Sequence, residues 1–359
     1  MIADALRAAF DDPLGCACVY VDGRVVAEAR GERWPEGGIA HVASISKPAA
    51  AFCVHLLADR GRIDLERPVA SYWPEFGALG KDRVTVAQAL AHQAGLVAFR
   101  EPQPLESLTD WRRATQLVAQ MEPWWPPATA HGEHALLYGH IAGELVRRVD
   151  GRSLGRFWRE EVAEPWSLDF AIGLAGDELE RVVDVEAARE WRVATLDGRG
   201  ELYRLALDNP PALLDPDVLN SVAWRTAEIP AVNGHADARA VARFHAGVLG
   251  GGELDGVRLC SEEAVAAALS PRMTGPDRVL GEEATWSAGF ALDVDGFGMG
   301  GLGGSLGWAD PAKRLAFGYV TAALGSHDRA EAVYEAVASA LPLSARAAAA
   351  SRSDRDPAR

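Results

Sequence analysis

The chain has 359 residues, 48% of them hydrophobic, enough apolar surface to bury a large core. A formal net charge of −15 and a pI of about 5.1 repel phosphate backbones and anionic lipid, which argues against nucleic acid or a membrane surface as partner. No stretch reaches the roughly 18 apolar residues of a membrane span, and the opening MIADALRAAFDDPLG has no basic leader and no long apolar run, so a soluble, cytoplasmic protein is expected.

Residues 15–31, GCACVYVDGRVVAEARG, read as a hairpin around Val21-Asp22-Gly23. Cys16 and Cys18 fall on one strand face. With Cys53 and Cys260 they are too few for a disulfide framework and are assigned to core packing. Residues 44–60 turn helical and are closed by Gly61, with Pro48 tolerated in the first turn. From 73 to 200 the chain is helical and loop-rich: TVAQALAHQAG, DWRRATQLVAQM and ALLYGHIAGELVRRVDG carry the helical patterns, and PWWPPATAHG at 123–132 is too rich in proline for regular structure. NGHADARAVARFHAGVLGGG gives another helix. Strands return in TWSAGFALDV and RLAFGYVTA around a glycine-rich turn, before a final helix in HDRAEAVYEAVASAL. Strands at both chain ends with helices between them predict an α/β protein of the α+β type: an antiparallel sheet flanked by helices from 1–72 and 201–345, a mainly helical domain at 73–200, and a disordered tail at 346–359.

Ser44-Ile45-Ser46-Lys47 has Ser-x-x-Lys spacing, which on a helix brings hydroxyl and amine to one face. A serine hydroxyl needs a base to take its proton, and a lysine serves only when neutral. The chain has three lysines against 33 arginines, and arginine does not deprotonate, so a lysine here is informative. The spacing also arises by chance, and a serine cap beside a solvated lysine is the plain alternative. Tyr138 is either a core aromatic or a proton-relay phenol. The run from Gly298 to Ser305, between two strands, is either a flexible loop or an edge whose N–H joins that of Ser44 as an oxyanion hole. His131, Glu133, His134 and His140 raise a metal site, but His131 and His134 lack the i, i+4 spacing of a zinc helix. His92 is expected to satisfy loop backbone groups. Trp73, Trp124, Trp125 and Trp308 either pack the core or line an acyl or acceptor pocket.

Taken in order, HVASISKPAAAFCVHLLADRGRIDLERPVASYWPEF, TVAQALAHQAGL, WPPATAHGEHALLYGHIAGELVRRVDGRSL and GGLGGSLGWADPAKRLAFGYV resemble the serine β-lactamase and penicillin-recognising superfamily. The resemblance is to its class C β-lactamase-like branch, which includes family VIII carboxylesterases. It implies a β-lactamase/transpeptidase-like fold with the site between the two domains. It also implies Ser44 as nucleophile, Lys47 as base, Tyr138 as relay partner, and the Ser44 and Leu302 amides as oxyanion donors. No cofactor and no metal are called for. His140, Met299, Gly300, Gly301 and Trp308 are the expected substrate-binding positions. Met299 stands where the family's third motif carries Lys, His or Trp, and a thioether holds no carboxylate. The expected substrate is therefore a small neutral ester rather than a β-lactam, with water, an alcohol or an amine as acyl acceptor.

Overall fold

The computed structural model describes residues 1–341; the expected tail at 346–359 lies outside them. Helix α1 (Ile2–Ala9) precedes the hairpin of β1 (Gly15–Val21) and β2 (Arg24–Arg30). Asp22 and Gly23, at φ 51° and 73°, form its two-residue loop, a turn that needs both residues left-handed. The short strand β3 (Ala40–His41) leads to α2 (Ser46–Asp59). Twelve of the fourteen α2 residues are buried, so this helix runs through the interior rather than along the surface. A left-handed Gly61 at φ 68° follows its end.

Helices then dominate as far as Thr226, among them α3 (Tyr138–Asp150), interrupted by β4 (Phe170–Ile172). Next come β5 (Gly234–Ala236) and α4 (Ala238–Leu249). Six strands of the main sheet follow: β6 (Met273–Pro276), β7 (Glu283–Trp286), β8 (Ala291–Asp293), β9 (Gly296–Gly301), β10 (Ser305–Asp310) and β11 (Leu315–Thr321). Helix α5 (Asp328–Ser339) closes the described chain.

The main sheet has eight antiparallel strands in the order β2-β1-β11-β10-β9-β8-β7-β6. The first hairpin docks on the last strand, Gly15 opposite Thr321, so the sheet is assembled from both ends of the chain. Both faces are covered. Ala17, Val19, Phe317 and Tyr319 pack against α1 and α5, while Cys16, Cys18, Ala316 and Val320 face the larger core with α2 and α4. This is why GCACVYV reads as an unbroken apolar run: a strand buried on both faces has no polar side. All four cysteines are free and buried. A second small sheet, β3-β5-β4, anchors the residues just ahead of α2. Among the described residues, no helix is long and apolar enough to cross a membrane.

Candidate functional site

The approach to α2 is bent sharply. Ala43 sits at φ 46°, a left-handed conformation that costs a residue with a Cβ about 1–2 kcal/mol. Ser46 holds the bend: its hydroxyl donates to the Ala43 carbonyl at 2.6 Å and accepts from the Gly234 N–H of β5 at 2.8 Å. Ser44 lies on this bend, two residues before the helix begins, and Lys47 stands in the first turn. The Lys47 Nζ meets three oxygens: Ser44 Oγ at 2.8 Å, Glu133 Oε1 at 2.9 Å and the Ala231 carbonyl at 3.3 Å. The lysine side chain is 1% exposed and that of Glu133 10%. Burial pulls Lys47 below the usual lysine range, and the Glu133 carboxylate opposes that pull.

Glu133 comes from the loop before α3, and the β6–β7 connection fixes its backbone. Buried Asp277 accepts the Glu133 N–H at 3.2 Å, the Val279 N–H at 2.8 Å and the Leu280 N–H at 2.9 Å, and takes the Trp286 indole N–H at 3.0 Å. The Arg278 N–H donates to the His131 carbonyl at 3.0 Å. Ala231 is positioned by close packing, since a methyl group on Gly139 of α3 would run into its amide nitrogen. Strand β9 closes the other side. Strand β8 pairs only as far as Gly298, so Met299, Gly300 and Gly301 bond β10 on one edge and leave the other open. At Gly301 the strand passes so close to the bend that a methyl group there would meet the Val42 carbonyl oxygen. Leu302 follows one residue beyond the last ladder pair, Gly301 with Ser305. An amine against a serine hydroxyl, backed by a carboxylate and flanked by an open strand edge, is equipped for acyl transfer through an activated serine.

Comparison with known proteins gives this geometry its place. A family model described as Beta-lactamase matches residues 4–341. The chain belongs to the β-lactamase family. Within it, the chain is 34% identical over 329 residues to the esterase/beta-lactamase LipL of Mycobacterium tuberculosis, spanning 85% of this chain and 76% of that protein. Its fold superimposes on a family VIII carboxylesterase with a TM-score of 0.86 at 34% identity, covering 94% of this chain and 96% of the other. A penicillin-binding protein homologue from Caulobacter crescentus gives 0.85 at 34% identity, covering 95% and 96%.

Not every residue expected at the site of this β-lactamase-family chain is found there. Tyr138 is placed apart from the pair: its hydroxyl donates to the Leu90 carbonyl at 3.2 Å and bonds neither Ser44 nor Lys47, and burial pushes its phenol up, away from phenolate. The contact to Lys47 assigned to it is made by Glu133. His140 is also set apart. It is fully buried, shares a hydrogen bond of 3.0 Å with the Leu108 carbonyl and packs on Trp111, and burial lowers its pKa to about 4. Trp308 is a third such residue. It stands opposite Gly298 on the sheet face that Gly300 shares, the face turned to His327 and α5, whereas Met299 and Gly301 share the face turned to the bend and α4. Of the glycines, a methyl group on Gly301 would meet the bend and one on Gly300 would meet His327 instead.

Trp73 packs on Phe76. Trp124 and Trp125 donate to the Ala98 and Ala130 carbonyls, so these three serve core and loop packing. His92 satisfies a loop group as expected, its Nδ1 accepting the His134 N–H at 3.1 Å. Sequence reasoning missed Glu133, Ser46 and Asp277. The signal for Glu133 was an acid in HGEHA, where the flanking histidines drew attention to a metal instead.

Proposed function

We propose that this chain is a serine ester hydrolase working through an acyl-enzyme on Ser44. The contact that carries the reading is the 2.8 Å approach of the Lys47 amine to the Ser44 hydroxyl inside a buried site. The 34% identity to a family VIII carboxylesterase, over 94% of this chain, and to an esterase/beta-lactamase, over 85% of it, supports it. Ser44 Oγ attacks the ester carbonyl and its proton passes to the Lys47 side. The Ser44 and Leu302 N–H groups receive the carbonyl oxygen as it gains charge. The tetrahedral adduct collapses, the leaving alkoxide takes the proton back, and water repeats the sequence to release the acid. With Met299 at the head of the open edge and no cation in its place, the substrate is an uncharged small ester. Alcohols or amines attacking the same intermediate would give acyl transfer, which product analysis with added acceptor separates from hydrolysis.

Ser44→Ala is expected to lose turnover of p-nitrophenyl esters by at least about 10³-fold, and Lys47→Arg by about 10²–10⁴-fold, the range for loss of a general base. Near-normal rates in either variant would overturn the reading.

A further inference from the structure

Lys47 presents a chemical difficulty. A lysine held 2.9 Å from a buried carboxylate and donating to three oxygens is arranged as an ammonium, and an ammonium has no lone pair to take the serine proton. We infer that Glu133 is the terminal proton acceptor of acylation, receiving a proton from Lys47 as Lys47 receives one from Ser44. This rests on the Ser44 acyl-enzyme proposed above.

The exchange balances. As the Ser44 Oγ–C bond forms, the Oγ–H bond breaks and the carbonyl π pair moves onto the carbonyl oxygen. The serine proton forms a new N–H bond on Nζ, another Nζ–H bond breaks, and that proton forms an O–H bond on Glu133 Oε1. Lys47 keeps its charge throughout, and the negative charge moves from the carboxylate to the oxyanion. On collapse, the oxyanion pair restores C=O, the bond to the leaving oxygen breaks, Lys47 protonates that oxygen, and Glu133 returns its proton to Lys47. The geometry suits a relay because Ser44 Oγ and Glu133 Oε1 both contact one nitrogen, at 2.8 and 2.9 Å.

No neighbouring group substitutes for the carboxylate. Tyr138 is turned to Leu90. His92 and His134 face the pair from the two adjoining loops, and burial holds His92 well below the usual histidine range and His134 at about 3. His131 lies beyond them, Tyr203 approaches from the helix Glu201–Asp208, with Glu282 near it, and Asp277 is committed to the backbone of the Glu133 loop.

The test is kcat/KM for a p-nitrophenyl ester as a function of pH and of deuterium fraction, in the wild type and in Glu133→Gln. The expected wild-type rate does not climb with the deprotonation of Lys47. Its proton inventory is bowed, because two protons move together. Glu133→Gln is expected to lose about 10²-fold or more, to give a linear inventory, and to follow the deprotonation of Lys47 alone. A wild-type rate that climbs only with deprotonation of Lys47 and shows a linear inventory would overturn the proposal, as would a Glu133→Gln protein within threefold of the wild type with an unchanged profile. If the variant does not fold, the wild-type profile and inventory decide. Failure of the underlying reading is distinct: a fluorophosphonate would then add no mass at Ser44 in the wild type, whatever Glu133 does.

Discussion

Lys47 can meet Ser44, Glu133 and Ala231 because an ammonium has three hydrogens and the site offers three oxygens. Replacing such a lysine takes the amine from Ser44 and leaves the buried carboxylate without its cation. The other two lysines are also committed. Lys81 donates to the Ala78 and Met121 carbonyls at 2.8 and 2.6 Å, with burial lowering its pKa to about 8, and Lys313 pairs with buried Asp310 at 2.8 Å. Scarcity of lysine therefore marked structural lysines as well as the site. The Ser-x-x-Lys pair was legible because three residues of spacing near a helix start act locally. The partner was not, because Glu133 and Tyr138 lie on either side of a loop-to-helix boundary whose register no pattern in PWWPPATAHGEHALL reports. The two assignments separate in Tyr138→Phe. With only the bond to Leu90 lost, kcat/KM is expected within about threefold of wild type, at a stability cost of about 1 kcal/mol by thermal unfolding. A fall in rate of 10²-fold would return the relay to the tyrosine.

At the level of elements, three pieces from distant parts of the chain converge on the bend at 42–46: β5 through Ser46, β9 through Gly301, and the loop before α3 through Glu133. The helix α2 and the first hairpin were readable from their turn residues and caps, and they appear within a residue or two of their expected limits. The close approach of β9 was not readable, because a glycine-rich run looks the same whether its glycines bend a loop or admit a neighbouring carbonyl. Gly301→Ala tests this. Its methyl group would press on the Val42 carbonyl and displace either the edge or the bend. The expected result is a loss in kcat/KM of about 10²-fold, the scale for a 1 Å misplacement of reacting groups, with about 1–3 kcal/mol of destabilisation from overpacking. Equal substitution at Gly300, whose missing methyl faces His327 on the opposite side of the sheet, is expected to cost less activity.

Across the whole molecule, the sheet drawn from both chain ends was evident from the distribution of strand patterns. The interleaving was not: β4, inside the expected helical segment, pairs with β5, and helices continue to Thr226. Such pairings depend on long-range contacts that no local pattern encodes. A further property belongs only to the assembled core. Burial lowers seven of the nine histidines: His41, His55, His140 and His245 to about 4, His134 to about 3, and His92 and His235 well below 6.5. These groups stay neutral in the folded chain while the unfolded chain protonates below pH 6.5. Their contribution to stability is therefore intact above pH 6.5 and falls as the pH drops toward 4, by up to about 1.4 kcal/mol per group per pH unit. Thermal unfolding followed by circular dichroism is expected to show a level Tm above pH 7 and a steep fall between pH 6.5 and 5; a Tm unchanged down to pH 4.5 would contradict this. The intact protein is also where the Ser44 acyl-enzyme is weighed. Rapid acid quench after mixing with an activated ester, followed by mass analysis of the whole chain and its peptides, is expected to show one acyl group on the peptide containing Ser44, absent from Ser44→Ala. Steady ester turnover with no adduct on Ser44, or an undiminished adduct and rate in Ser44→Ala, would contradict the account.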